Sequence, residues 1–229
     1  MANTAVAEEQ IARSSLVSRM SGSLALRLLV TAAALIIWFW TQKLIGARGA
    51  PSLTILDRIH AITAPANFYL HTHPVAANIL LIVSSAIIDL LGIFLLAKWI
   101  FGASIRPFLG LVMVLGLRQI LQLLVGLPAP PNALWHDPGF PSLLVTYSVS
   151  NDYFFSGHTA IAVLAAAEIS RMHKRWLTAI AIVIVIFEAA TVLVLRAHYT
   201  MDVFAGLVTG LYAAHLANCI SHKQVASSR

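Results

Sequence analysis

Six long apolar stretches divide this 229-residue chain, each near the roughly 20 residues that a helix needs to cross a hydrocarbon core. They run from about Leu24 to Ile45, Pro74 to Ala97, Pro107 to Leu127, Tyr153 to Ser170, Trp176 to Leu195 and Tyr199 to Ser221. Residues that are 59% hydrophobic and 10% charged, with a mean hydropathy of +0.83, leave too little charge to cover a water-facing surface. A single cysteine, Cys219, excludes a disulfide framework. The net charge of +6 sits in small clusters between the apolar runs and not along one face, which argues against nucleic acid as a partner. The expectation is an all-α polytopic membrane protein, a six-transmembrane-helix bundle.

Loop charges set the orientation, because Lys and Arg concentrate on the cytoplasmic side. With the N-terminus inside, the inner segments hold Arg13, Arg19, Arg27, Lys98, Arg106, Arg171, Lys174, Arg175, Lys223 and Arg229. The outer side holds only Lys43, Arg48, Arg58 and Arg196. This predicts a cytoplasmic segment over 1–23, a six-span membrane domain over 24–221, and a cytoplasmic tail over 222–229, so that both termini lie inside. The first run carries Trp38, Phe39 and Trp40 with no small-residue cleavage site behind it, so it reads as a span and not a signal peptide.

Two outer loops, 46–73 and 128–152, are too long for tight turns. The first holds His60, His71 and His73 and is expected to include a short surface helix. The second carries the clusters L-P-A-P-P and D-P-G-F-P with Trp135, which predicts an ordered, non-helical cap where a lid over a site would be built. Loop histidines with neither cysteine nor a matched carboxylate are a weak zinc signal, and no metal is expected.

Chemistry gathers at the outer ends of the last three runs. The segment N-D-Y-F-F-S-G-H-T places Ser156, Gly157, His158 and Thr159 where the fourth run begins, and R-A-H-Y-T-M-D-V places His198 and Asp202 where the sixth begins. One crossing inward and one back take about 40 residues, so His158 and His198 return to the same membrane face. His198 and Asp202 are four apart, on one helical face, where the carboxylate can hold the imidazole's tautomer. Two imidazoles and a carboxylate suit phosphoryl-type transfer on a lipid. His198 would attack phosphorus, Asp202 would stabilise the imidazolium, and His158 would protonate the leaving oxygen. Gly157 would let backbone approach the phosphate at a helix N-terminus. This chemistry requires neither metal nor cofactor. The competing reading is a pair of interfacial histidines that merely cap helices.

The motifs Ser156-Gly157-His158-Thr159 and His198-Tyr199-Thr200-Met201-Asp202-Val203, with Asp152 ahead of the first, resemble those of the sphingomyelin synthase branch of the type 2 phosphatidic acid phosphatase superfamily. The same stretch, about 78–215, is similar to the plant phosphatidylcholine:diacylglycerol cholinephosphotransferases, with which it shares an L-P-x-P element. The resemblance implies a six-span bundle in which His158, His198 and Asp202 form a catalytic triad. It implies transfer of a phospho-head group from a phospholipid donor to a lipid-alcohol acceptor, diacylglycerol or ceramide, through a phosphohistidine-like intermediate. The superfamily's phosphatases carry K-x6-R-P, whereas Lys98, Arg106 and Pro107 here are spaced one residue too long and fall on the inner side. A lipid phosphate phosphatase with water as acceptor is the alternative, and a non-enzymatic transporter or scaffold is the third class. In a bacterium the site would face the periplasm from the inner membrane; in a eukaryotic endomembrane it would face the lumen.

The remaining polar residues divide between structure and substrate. Arg118 lies at the same depth as Glu188, so it either pairs with Glu188 or Asp89 or reaches outward to the lipid phosphate. Asp89 is expected to be structural. Glu168, three residues before Arg171, is expected to reach the inner interface without a role. Asp152 would face a choline or ethanolamine cation, with Tyr153, Phe154, Phe155 and Tyr199 offering aromatic faces. Arg118, Asp152, Ser156, Gly157 and Tyr199 are therefore the expected substrate-binding residues. Gly206-x-x-x-Gly210 suits close helix packing, within the bundle or in a homodimer.

Overall fold

The computed structural model describes residues 24–47, 55–147 and 153–227, with side chains to residue 221. All regular structure among the described residues is helical: α1 (Leu24–Gly46), α2 (Arg58–Ile62), α3 (Ala64–Thr72), α4 (Pro74–Ile100), α5 (Arg106–Leu124), α6 (Gly157–Ser170), α7 (Arg175–Val194) and α8 (Thr200–Ser227). Local chemistry sets the boundaries. Pro74 and Pro107 occupy the first turns of α4 and α5, where a missing N–H costs nothing. Asp57 caps α2 by accepting from the backbone N–H of Ile59 at 2.9 Å and of His60 at 3.3 Å.

Five helices, α1, α4, α5, α7 and α8, are long and apolar enough to cross a membrane. The sixth expected span differs. Helix begins only at Gly157 and not at Tyr153, so α6 has 14 residues, about 21 Å of rise against a hydrocarbon core of about 30 Å. It is also the most enclosed helix: Gly157 to Ala165 and Glu168 are all buried, surrounded by α4, α5, α7 and α8. The glycines of α8 make this possible. A Cβ on Gly206 would stand 2.5 Å from the Ser156 carbonyl oxygen, and one on Gly210 would stand 2.7 Å from that of Ala160. The Gly206/Gly210 stripe thus serves a contact inside the bundle.

The outward faces are apolar. Leu29, Ile36, Ile37 and Trp40 of α1, Ile182, Val183 and Ile186 of α7, and Phe204 and Leu211 of α8 are exposed, as suits lipid as the solvent. Polar groups turn inward instead: Ser84, Arg118, Gln122, Glu168, Glu188 and Asp202 are all buried.

Loop 46–73 supplies α2 and α3. The described part of the second loop, 125–147, is non-helical as expected, yet it is more than a surface cap. Leu144 and Val145 join the main core. Asp89, midway along α4, accepts from the backbone N–H of Leu143 at 2.8 Å and of Leu144 at 2.9 Å. Irregular backbone inside a membrane bundle needs such partners, because no water replaces them there. Trp135 Nε1 donates to the Thr146 carbonyl at 3.1 Å, and the Leu134 N–H donates to the Leu195 carbonyl at 2.8 Å.

Candidate active site

The two sequence motifs meet through backbone. Ser156 N-caps α6, its Oγ accepting from the Thr159 N–H at 3.3 Å, while its own N–H donates to the Asp202 carbonyl at 3.0 Å. The close approach of Gly206 to Ser156 seals the same contact. As a result His158, second residue of α6, and His198, two residues before α8, line one cleft. Arg118, Trp135, Tyr153 and Gly157 line it with them.

The His198 tautomer is set by backbone. Its Nδ1 lies 2.7 Å from the Tyr153 carbonyl oxygen and 3.7 Å from Asp202 Oδ2. A carbonyl only accepts, so Nδ1 carries the proton and the Nε2 lone pair is left for a reacting group. Sequence spacing assigned this tautomer-holding part to Asp202. That carboxylate is fully buried and accepts instead from the Tyr199 N–H at 2.8 Å. It acts on His198 by charge across 3.7 Å and not by a short hydrogen bond.

His158 is 6% exposed, and Trp135 meets its ring edge-on at 5.3 Å. Its Nε2 is buried with no hydrogen-bond partner. Arg118 crosses the start of α6: its Nε donates to the Phe155 carbonyl at 3.1 Å, and a Cβ on Gly157 would stand 2.9 Å from that nitrogen. Gly157 thus leaves room for the guanidinium beside it. Neither ion pair considered for Arg118 is present among the described residues, and each carboxylate has another partner. Glu188 accepts from Ser84 Oγ at 2.6 Å, and Asp89 holds the loop.

Other expected site residues stand apart. Tyr199 is 2% exposed and stacks on His60 with centroids 5.5 Å apart, so its ring does not line the cleft. Ser156 does not line it either, and acts as a cap. Phe155 is wholly buried in the core; of the four aromatic residues expected around a head-group cation, Tyr153 alone lines the cleft. Asp152 lies outside the described residues. Glu168, expected to have no role, requires a correction: it is wholly buried and takes Arg106 Nε at 2.7 Å and Nη2 at 3.0 Å in a two-point pair.

Sequence reading missed a set of residues behind His198. His60 is buried, and its Nε2 lies 2.9 Å from the His198 carbonyl oxygen. Burial, aided by the Arg196 cation, holds the His60 imidazole below its ordinary pKa, so near pH 7 it is neutral and its Nε2–H donates. Arg196 was expected as an outer topology charge. It is buried, adopts φ +57°, and donates to the His60 carbonyl. Asp57 accepts from the Thr200 N–H at 2.6 Å and from Thr200 Oγ1 at 2.8 Å, so one carboxylate anchors the starts of α2 and α8. Burial works against its charge, but the Thr200 and His60 interactions outweigh it and lower its pKa. A capping aspartate three residues before His60 was legible; its contact 143 residues onward was not. Among the described residues no three histidine, cysteine or carboxylate groups gather as a metal site.

Against known proteins, the chain is 25% identical over 178 residues to phosphatidylcholine:diacylglycerol cholinephosphotransferase 1 of Arabidopsis thaliana. The alignment covers 78% of this chain and 56% of that relative, so the chain spans little more than half of the relative's length. No solved structure matches it. The family model AtPDCT1/2 matches residues 56–219, a range that opens one residue before Asp57 and takes in α2 to α7, both histidine motifs and most of α8, and the chain therefore belongs to the AtPDCT1/2 family.

Proposed function

We propose that the protein is an integral-membrane lipid phosphotransferase that moves a phospho-head group from a glycerophospholipid to a lipid alcohol. The observation that carries this reading is the shared cleft of His158, His198 and Arg118, with the His198 Nδ1 proton committed to the Tyr153 carbonyl. The printed activity of the Arabidopsis relative supports the same reaction class.

In the first half-reaction His198 Nε2 attacks the donor phosphorus. The bond from phosphorus to the diacylglycerol oxygen breaks, and His158 gives that oxygen a proton. The products are diacylglycerol and a phosphohistidine carrying the head group. In the second half the acceptor hydroxyl gives its proton to His158 and its oxygen attacks phosphorus, breaking the N–P bond. Asp202 stabilises the positive ring during both halves, and Arg118 holds the phosphate oxygens. The triad resembles that of the type 2 phosphatidic acid phosphatases. We place the site on the outer leaflet of a six-span bundle with both termini cytoplasmic, α6 being the short crossing.

Mixed micelles of head-group-labelled phosphatidylcholine and phosphatidylethanolamine with diacylglycerol and ceramide test the activity, read by mass spectrometry. Label on a new lipid, absent with His198→Ala, is expected. Free phosphate or soluble phospho-head group alone would make the enzyme a hydrolase, and turnover unchanged in the variant would remove the histidine assignment. For topology, in a Cys219→Ser background, Phe140→Cys should react with an impermeant thiol reagent from outside and His173→Cys should not. The reverse pattern overturns the orientation.

A further inference from the structure

Beside the histidine cleft, α1 and α5 bury polar side chains of a kind that is costly inside a membrane bundle. Gln42 of α1 donates through Nε2 to Thr146 Oγ1 at 3.0 Å and accepts from Gln119 Nε2 of α5 at 2.8 Å. Trp38, one turn before Gln42, lines the cleft together with Thr146 and Arg118. Gln122 follows Arg118 by one turn of α5. Trp38, Gln119 and Gln122 are 5%, 8% and 1% exposed. Despite this burial, Trp38 Nε1, Gln119 Oε1 and both amide atoms of Gln122 have no hydrogen-bond partner.

Apolar residues of similar volume would fill these positions without stranding donors and acceptors. Trp38 lines the cleft, and Gln119 and Gln122 stand on the turn of α5 that follows Arg118; polar side chains left open there match a ligand that brings both kinds of group. The N–H groups of Trp38 and Gln122 suit acyl carbonyl oxygens; the amide oxygens of Gln119 and Gln122 can each take a hydroxyl proton. All three side chains are uncharged, so they suit a neutral molecule, whereas a phosphate belongs with Arg118. The exposed apolar faces of Ile36, Ile37 and Trp40 on α1 offer a surface for acyl chains. We propose that Trp38, Gln119 and Gln122 form the binding site of the uncharged lipid alcohol that accepts the head group, holding it by its hydroxyl and acyl carbonyl. The assignment of an acceptor rests on the phosphotransferase reading above.

The test uses the full chain in mixed micelles with head-group-labelled phosphatidylcholine and dioleoylglycerol, comparing wild type with Gln122→Met and Gln119→Met. Methionine keeps the side chain's length and removes its hydrogen bonds. We expect the KM for dioleoylglycerol to rise roughly tenfold, while kcat at saturating dioleoylglycerol stays within about twofold. An unchanged acceptor KM overturns the assignment, as does a loss confined to kcat. Gln119→Met carries the same test if Gln122→Met fails to fold. A photoreactive diacylglycerol, added without any donor, separates the two proposals. Labelling of wild type that dioleoylglycerol competes away, and that Gln122→Met reduces roughly tenfold, supports the site even if no phospholipid turns over. Equal labelling of wild type and variant overturns it.

Discussion

The two ends of α6 handle buried charge in opposite ways. Near its C-terminus Glu168 takes a two-point bond from Arg106, with Arg171 at 3.5 Å and itself bonded to Asn218. Near its N-terminus, about 15 Å away along the helix, His158 Nε2 and Asp202 Oδ1 are buried without partners. A buried polar atom left open costs on the order of 1–3 kcal/mol, so a structure built for stability alone would bond the buried groups of the outer end as it bonds Glu168. The Glu168 end, with both carboxylate oxygens taken by Arg106, holds helices together. The open end, with its cleft and its committed His198 tautomer, has the character of a site whose missing partners arrive with substrate.

That contrast can be broken or sharpened by substitution. The largest effect is expected for His198→Ala: head-group transfer should fall about 10⁴-fold, while thermal unfolding in detergent stays unchanged. Loss of stability with retained turnover would make the outer end structural as well. Glu168→Ala should do the reverse. Removing one partner leaves Arg106 without its buried counter-charge and should cost about 3 kcal/mol of stability by denaturant titration, with KM for both lipids unchanged in the folded fraction. Asp202→Asn keeps the acceptor for the Tyr199 N–H but removes the charge 3.7 Å from His198. It should lower kcat roughly 30-fold with little change in lipid KM; a fall confined to KM would contradict charge stabilisation of the ring. His60→Phe keeps the stack on Tyr199 and loses only the bond to the His198 carbonyl, so kcat should drop about fivefold. An unchanged kcat would remove the positioning part assigned to His60.

The helices were legible because hydrocarbon imposes a length and an apolar composition on anything that crosses it. Predicted limits such as Leu24 to Ile45 and Trp176 to Leu195 lie within a residue of α1 and α7. Shared placement of His158 and His198 also followed from counting one crossing in and one back, and the cleft contains both. The errors share a physical origin. Residues 153–156 look like span because Phe154 and Phe155 are apolar, yet the chain there is non-helical, and its Tyr153 and Phe155 carbonyls serve His198 and Arg118. Arg196 and Glu168 read as interface charges because charge in a sequence is taken as exposed until a partner is known. Their partners, His60 and Arg106, lie 136 and 62 residues away.

By itself, then, the sequence determined that this is a helical membrane protein, where its long helices run, and that two histidines and a carboxylate gather at one end. Those properties depend on local composition and on helix length, which neighbouring residues carry. Only the tertiary structure decided which group holds His198, that Gly157 makes room for Arg118, and that α8 reaches the α6 backbone through Gly206 and Gly210. It also decided that the second loop inserts as core and that Gln119 and Gln122 are buried with amide atoms left open. Each of these is a contact between segments far apart in the chain. Its partner is chosen by packing and by the demand that buried polar atoms be satisfied, and neither is written in the local pattern.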